Sequence, residues 1–421
     1  MALEYEDGIV TMYPGPVDVH AHPRVFDPQT SHDISGQDGY EGKAGLPIYS
    51  EVALRSGIVL IGAMPNESYR EIVPNAHDGE ATRLIQFPIS NYERARIMGH
   101  SIRTQSRINA TYYLGVDPTE IFDDSVEQID AQTILRNFAL GGKDAKALKL
   151  FGNISTGGNN VPIQHFPQIV GMWHSLYPRK PIIMHLEDEN VGTVLDDLYA
   201  QNYGRVPVHV AHVSSREELS SVIVAKERGQ NVTCEVTPHH LFTLKNDGAL
   251  IGGYGCMKPT LKSLEDVNFL WDNLSYIDIF ASDCAPHKNS EKEASPPTFG
   301  VTNHSTWIPL LFGAVEAGKL SLEQMEACLV TNPRRIFNLP ENDSSLAAFD
   351  LTVRFASAKE VEQFVAPNYQ SNIFQHLERT GQMFRMIGRL IYASSGQSVV
   401  IYDQNMNTLI PDYKTSLTHL V

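Results

Sequence analysis

The stretch Asp18-Val19-His20-Ala21-His22 closes a short apolar run that begins at Pro16. Alternate side chains of a β-strand point to the same face, so the two imidazoles would project together. Imidazole is the commonest metal ligand among protein side chains. The stretch therefore predicts a buried strand that carries half of a metal site, and the remaining ligands must come from other strands.

Short apolar runs of this kind recur along the chain and alternate with stretches of helical character. One helical stretch, 214–229, begins with two serines that suit an N-cap and continues with Glu217 and Glu218 in its first turn. The apolar runs are 16–21, 58–64, 110–116, 145–151, 181–186, 206–213, 231–236 and 276–281. Eight strands that alternate with helices predict an α/β fold of the (β/α)8 TIM-barrel type.

The pattern changes after Pro340, where 351–355 and 398–402 read as β-strands separated by polar loops. Residues 1–13 are expected to add a strand to the same sheet. A chain of 421 residues has room for a barrel of about 250 residues and a small additional unit. We therefore expect a metal-dependent barrel domain over 14–340 and an accessory β-rich domain formed by 1–13 and 341–421.

Composition and charge narrow the classes of function. The chain is 42% hydrophobic and 19% charged, and no apolar stretch approaches the roughly 20 residues that cross a bilayer. A net charge of −16 argues against nucleic-acid and acidic-membrane partners, which require a basic surface. The acidic first residues do not resemble a secretory signal, so we expect a soluble cytoplasmic protein. The four cysteines form no CxxC pair, and neither a disulfide framework nor a zinc ribbon is expected.

Polar residues of the metal-binding type gather at the carboxyl ends of the predicted strands, which form the catalytic face of such a barrel. They are His20, His22, Asn66, Lys149, His185, His212 and Asp283. The lysine is the least expected member, because an ammonium group has no acceptor for a metal. Conversion of its amine by CO2 to a carbamate would give a carboxylate that can bridge two ions.

The same residues suggest a two-metal arrangement. His20, His22 and Asp283 would bind one metal ion, and His185 and His212 would bind the other. Two adjacent ions lower the pKa of a bridging water and polarise a carbonyl, which suits hydrolysis of an amide or its reversal.

With these residues the chain resembles the amidohydrolase superfamily and, within it, the dihydroorotase family. The resemblance spans roughly 14–340, and its ordered set with Met-Pro-Asn and Asp-x-Ala-Pro-His is very specific. The matching stretches are VDVHAHPR at 17–24, AMPN at 63–66, LKL at 148–150, PIIMH at 181–185, VHVAHV at 208–213, TCEVTPHHL at 233–241, ASDCAPH at 281–287 and NPRRIF at 332–337.

The resemblance implies reversible cyclisation of N-carbamoyl-L-aspartate to L-dihydroorotate in de novo pyrimidine biosynthesis. It implies two Zn2+ ions, for which other divalent metals could substitute, bridged by carboxylated Lys149 and hydroxide. Asp283 would be the catalytic residue, taking the proton of the hydroxide during ring opening and giving it to the leaving nitrogen. The substrate contacts implied by the family are Arg24, Asn66 and His287 on the carboxylate, together with Lys258.

Four further residues match positions near the site of relatives. Ser155 and Thr156 lie in the glycine-containing stretch 153–160, which corresponds to a lid; an inert surface turn is the alternative. Glu235 and His240 match positions that contact a further metal in some relatives. We expect them beside the ligands, with a role as ordinary hydrogen-bonding partners as the alternative.

Departures from the family pattern leave other functions open. Cys284 stands where relatives have histidine, and 296–305 replaces the usual Gly-Phe-x-Gly-x-Glu run. One alternative is a catalytically inactive dihydroorotase-like scaffold for pyrimidine enzymes, although retention of all six ligand positions argues against it. Another is a dihydropyrimidinase or allantoinase, although Arg24 with Asn66 favours the more acidic dihydroorotate. The family also implies a homodimer and association with aspartate transcarbamoylase.

Overall fold

The computed structural model describes residues 2–23, 45–65, 71–73, 83–85, 91–116, 130–153, 160–341, 343–365, 372–396, 398–402 and 408–409. Its strands, numbered along the chain, are β1 (Ala2–Glu6), β2 (Ile9–Tyr13), β3 (Val17–Ala21), β4 (Leu60–Ala63), β5 (Glu71–Val73), β6 (Arg83–Ile85), β7 (Asn109–Tyr112), β8 (Leu114–Gly115), β9 (Leu148–Phe151), β10 (Ile182–His185), β11 (Val208–Val210), β12 (Val232–Val236), β13 (Ile279–Phe280), β14 (Leu346–Phe355), β15 (Met386–Ser395), β16 (Ser398–Tyr402) and β17 (Thr408–Leu409).

Helices alternate with the strands of the first part of the chain. The α-helices are Leu46–Arg55, Asn91–Gln105, Ala131–Gly141, Phe166–Leu176, Glu189–Ala200, Arg216–Glu227, Pro238–Phe242, Lys245–Leu250, Leu264–Asp272, Asn289–Lys292, His304–Glu316, Leu322–Glu326, Asn332–Ile336, Ala358–Val365 and Ile373–Glu378. Among the described residues no helix has both the length and the apolar character needed to cross a membrane.

Parallel strands form the barrel. Strands β3, β4 and β7 pair in that order, as do β8 to β13. The two sheets join at Tyr113 and Leu114, whose N–H groups donate to the carbonyls of Ala63 (3.2 Å) and Ala147 (2.9 Å). The ring closes where Ala21 pairs with Cys284. The predicted TIM barrel is confirmed, with its third strand divided into β7 and β8.

The central strands are buried because they lie between the barrel interior and the surrounding helices. All four residues of β9 and all four of β10 are buried, as expected for a parallel sheet covered on both faces. Residues that alternate along such a strand point alternately to the interior and to the helices. The inward residues at the carboxyl ends therefore converge on one mouth of the barrel.

An antiparallel sheet joins the two ends of the chain. Its strand order is β1-β2-β14-β15-β16-β17, and β2 pairs with β14 through Met12 opposite Ala347. Val10 and Met12 are fully buried. The expected accessory sheet built from both termini is therefore confirmed, whereas the domain boundaries at 14 and 340 stay a prediction.

Candidate metal centre

The six predicted ligands come from the ends of five barrel strands and lie at the same mouth of the barrel. Lys149 lies in β9, His185 ends β10, and His212 and Asp283 follow β11 and β13 by two and three residues. The lysine and three of the histidines are almost completely buried, whereas the side chains of His22 and Asp283 are 14% and 12% exposed. A solute at the mouth can therefore reach the site beside His22 and Asp283.

Three of the ligands form a compact group. Asp283 Oδ1 lies 3.3 Å from His20 Nε2 and 3.1 Å from His22 Nε2. One donor atom from each residue lies within 4.8 Å of the others. Burial raises the pKa of the Asp283 carboxyl, but the two imidazoles outweigh this effect and hold it below its ordinary value. An ionised carboxylate beside two imidazoles fits a divalent metal ion.

The other two histidines contact each other close to His20. His185 Nδ1 lies 2.8 Å from His212 Nε2, and the His212 ring centre is 5.2 Å from that of His20. Burial lowers the pKa of both residues, and the nearby charge of Lys149 lowers it further. Both imidazoles are therefore neutral at pH 7, which is the form that binds metals.

Two of these residues have unusual backbones. His212 and Asp283 have φ angles of 38° and 47°, in the left-handed region that side chains other than glycine rarely adopt. Such a conformation costs about 1–3 kcal/mol and tends to occur at functional sites. The strain supports a functional role for both positions.

Glu235 contacts both groups of candidate ligands, through His20 in the first and His212 in the second. Its carboxylate contacts His20 Nδ1, lies 3.1 Å from His209 Nε2 and accepts the His212 backbone N–H at 3.2 Å. Burial raises the pKa of Glu235, but His20 and His209 outweigh it, so the carboxyl is ionised. Because Glu235 binds Nδ1 of His20, the Nε2 atom is left to face Asp283.

The contacts of His240 are those of a hydrogen-bonding partner beside the candidate ligands. Its Nδ1 lies 2.8 Å from Thr237 Oγ1, and its Nε2 lies 3.1 Å from the carbonyl of Pro259. A carbonyl can only accept, so Nε2 carries the proton. Both ring nitrogens are therefore occupied by the protein, and His240 anchors the turn that carries Lys258.

Lys258 and His287 lie at the edge of the site. Lys258 Nζ is 3.8 Å from Glu187 Oε2, and the other oxygen of Glu187 is 3.4 Å from His185 Nε2. His287 is buried with its Nδ1 atom 3.5 Å from Glu291 Oε2. The predicted residues Arg24, Asn66, Ser155 and Thr156 lie outside the described residues.

Cys284 contributes its backbone to barrel closure. Its carbonyl accepts the His22 N–H at 3.1 Å and the Tyr49 hydroxyl at 2.8 Å. Burial raises the pKa of its thiol to about 12, so the thiol is neutral. The residue that replaces the usual histidine is thus a small buried side chain in the wall of the site.

Several residues around the ligands were not singled out from the sequence. Asp18 accepts the backbone N–H of His20, and Glu187 contacts His185. Asp18 could have been recognised, because a carboxylate inside an apolar strand needs donors. Asn303 and His304 contact residues that are distant in the sequence, so no local sequence pattern indicates these contacts.

Comparisons with known proteins bear on the family of the chain. No family model matches the chain. The multifunctional protein CAD of Squalus acanthias is 32% identical over 358 residues, which are 85% of this chain and 13% of that protein. A dihydroorotase of Lactobacillus gasseri is 30% identical over an alignment of 362 residues that covers 80% of this chain and 78% of that protein.

Solved structures share the fold. An L-hydantoinase (dihydropyrimidinase) from Arthrobacter aurescens superposes with a TM-score of 0.70 at 19% identity, covering 96% of this chain and 87% of that one. The inactive dihydroorotase-like domain of a Chaetomium thermophilum CAD-like multifunctional protein gives a TM-score of 0.60 at 19% identity, covering 96% of both chains. At these identities the likeness establishes the fold alone.

Proposed function

Because the chain belongs to the dihydroorotase family, we propose that it catalyses the reversible cyclisation of N-carbamoyl-L-aspartate to L-dihydroorotate in pyrimidine biosynthesis. The chain is a cyclic amidohydrolase by family. The observation that carries the proposal is the convergence of His20, His22, His185, His212, Lys149 and Asp283 at one mouth of the barrel.

The donor set supports a two-metal centre, which we propose to contain Zn2+. His20, His22 and Asp283 would hold one ion, and His185 and His212 the other. When bound, such a pair supplies an acidified water and polarises the amide carbonyl. Neutral His185 and His212 and an ionised Asp283 are the forms that this role requires.

Lys149 would bridge the two ions as a carbamate. Its neutral amine would form a bond to the carbon of CO2 and lose a proton, giving a carboxylate. The side chain is completely buried and lies close enough to His185 and His212 to lower the pKa of both. An ammonium group is costly to bury, whereas a carboxylate between two cations is stabilised.

Asp283 would move the proton. In ring opening it would accept the proton of the attacking hydroxide and donate it to the ring nitrogen as the carbon–nitrogen bond breaks; ring closure reverses these steps. Arg24, Asn66 and His287 would hold the substrate carboxylate, with Lys258 as a further contact and Ser155 and Thr156 in a lid. The homodimer and the association with aspartate transcarbamoylase stay predictions.

The test is the absorbance change after L-dihydroorotate is added to zinc-loaded protein. Wild type should consume dihydroorotate, and Asp283→Asn should fold normally but lose at least about 100-fold in kcat because it cannot accept a proton. Asp278→Asn is a matched control, because Asp278 pairs with Lys226 at 2.6 Å and has no contact with the ligands. An active Asp283→Asn variant would refute the proton-transfer role.

A catalytically inactive scaffold is the second candidate. The altered segment 296–305 favours it, because this segment borders the site through the pairing of Val301 with Cys284. Zinc bound by wild type without turnover of dihydroorotate would favour the scaffold. Turnover of dihydrouracil or a hydantoin instead would identify a different cyclic amidohydrolase.

A further inference from the structure

The segment 301–305 carries two buried polar side chains, Asn303 and His304. Asn303 contacts Ser282, the residue before Asp283. Val301 pairs with Cys284, so the segment runs beside the end of β13 that carries the aspartate. Asn303 and His304 are both completely buried. Buried polar groups need hydrogen-bond partners, and the partners of these two lie next to metal ligands.

His304 contacts the carboxylate of Asp18. This carboxylate accepts hydrogen bonds from His20 and from Ser282, which precedes Asp283. Asp18 Oδ1 accepts the backbone N–H of His20 at 3.1 Å and of Ser282 at 3.0 Å. Asp18 Oδ2 accepts the Ser282 hydroxyl at 2.5 Å and lies 2.7 Å from His304 Nε2. The carboxylate oxygen of Asp18 is the acceptor here, so His304 Nε2 donates in this contact.

Asn303 also contacts Ser282, at its carbonyl group. Its Nδ2 atom lies 2.7 Å from the carbonyl of Ser282 and 3.2 Å from His239 Nδ1. Because the carbonyl can only accept, the amide donates to it. Ser282 is therefore fixed at its N–H and hydroxyl by Asp18 and at its carbonyl by Asn303.

Restraint at Ser282 matters because Asp283 follows it with a φ of 47°. A strained conformation persists only where its surroundings determine it. Rotation of the peptide between Ser282 and Asp283 would turn the carboxylate away from His20 and His22. Each hydrogen bond to Ser282 opposes that rotation.

We propose that His304 and Asn303 are positioning residues that hold Asp283 in its left-handed conformation and aim its carboxylate at His20 and His22. They act through Asp18 and Ser282 and not on the reacting atoms. This inference rests on the proposed function and adds to it the residues that set the direction of the proton-transferring carboxylate.

Three variants of buried histidines test the inference. His304→Phe keeps a ring but removes the donor to Asp18, whereas His304→Gln keeps an N–H donor. His376→Phe is the matched control, since His376 is also buried and stacks on Tyr254 at 3.8 Å. The two readouts are kcat and KM of zinc-loaded protein with L-dihydroorotate, and the visible absorption spectrum of Co2+-loaded protein, which reports ligand geometry.

For His304→Phe we expect kcat to fall about 10–100-fold with KM changed less than about threefold, and the Co2+ bands to shift. His304→Gln should restore most of both signals, and His376→Phe should leave both as in wild type. A wild-type Co2+ spectrum in His304→Phe, or an equal loss in His304→Phe and His376→Phe, would overturn the inference.

The cobalt spectrum separates this inference from the proposed function. If wild type does not turn over dihydroorotate, the proposed function fails, but a shifted spectrum in His304→Phe still supports the positioning role. If His304→Phe does not fold, Asn303→Ala decides the question, because it removes the bond to the Ser282 carbonyl. A wild-type spectrum in that variant would contradict the inference.

Discussion

At the residue scale, the chemistry of the site depends on which form each ionisable side chain adopts when buried. His185 and His212 are kept neutral by burial, whereas Asp283 is kept ionised by His20 and His22. A carboxylate and neutral imidazoles attract a cation together. His185, His212 and Asp283 are therefore in the forms that suit metal binding at pH 7.

Replacement of Lys149 tests the bridging ligand. Lys149→Ala should lower metal affinity by at least about 10–100-fold, because one ligand shared by both ions is lost. Metal content after gel filtration, measured by plasma emission, checks this expectation. Lys146→Ala is the matched control, since Lys146 Nζ is exposed and donates to the carbonyl of Asn338 at 3.1 Å. Full occupancy of both metal positions in Lys149→Ala would refute the carbamate.

Glu362 gives a prediction for the pH dependence of stability. Burial raises the pKa of this carboxyl from 4.5 to about 8, even though it accepts the Asn372 N–H. The folded state therefore binds the proton more tightly than the unfolded state, and stability is lost as pH rises from 4.5 towards 8. Between pH 5 and pH 8, the free energy of unfolding of wild type should fall relative to that of Glu362→Gln by on the order of a few kcal/mol.

Urea denaturation at the two pH values measures this difference. Glu360→Gln, in the same helix, is the control because Glu360 is only half-buried. An equal pH dependence in wild type and Glu362→Gln would show that the carboxyl is not protonated at neutral pH.

At the scale of elements, the strands of the barrel could be predicted and their interruptions could not. Residues 145–151 and 181–186 are apolar because β9 and β10 are covered on both faces. The run 110–116 reads as one strand, but Tyr113 separates β7 from β8 and donates its hydroxyl to the carbonyl of Val19 at 2.9 Å. That contact spans 94 residues and leaves no local pattern.

For the candidate site as well, some features could be predicted from the sequence and others could not. The grouping of the six candidate ligands at one mouth of the barrel was predictable because each stands at the carboxyl end of an apolar run. The role of His240 was not, because its ring orientation depends on Thr237 and on the carbonyl of Pro259. His304 was also missed, because its partner Asp18 is 286 residues away. Long-range hydrogen bonds therefore determine which histidine nitrogens are already occupied by other protein groups.

The N-cap predicted for the stretch 214–229 offers a test at this scale. Ser215 caps helix Arg216–Glu227 in a capping box with Glu218, whose backbone N–H donates to Ser215 Oγ at 3.2 Å. Ser215→Ala should lower the free energy of unfolding by about 0.5–2 kcal/mol. Ser221→Ala, at a partly exposed serine that donates to the carbonyl of Glu217, should change it by less than about 0.5 kcal/mol. Equal effects in urea denaturation would show that the cap contributes nothing.

At the scale of the whole molecule, the terminal sheet and the barrel meet at the turn after helix Leu46–Arg55. Gly57 has a φ of 86°, and an added Cβ would overlap the ring of Phe349 in β14 and approach Leu390 in β15. This close approach explains why the position needs glycine. It also means that the turn and the sheet cannot shift independently.

Gly57→Ala therefore tests whether the sheet stabilises the barrel. Gly229→Ala is the matched control, because Gly229 has a φ of 77° with nothing within 4 Å of an added Cβ. Both variants bear the backbone strain of an alanine at positive φ, but only Gly57→Ala must displace Phe349. We expect Gly57→Ala to be less stable than Gly229→Ala by about 1–3 kcal/mol in urea denaturation, with sheet and barrel unfolding together. Equal destabilisation would mean that Phe349 moves aside freely, and that the two units proposed at residues 14 and 340 are packed only loosely.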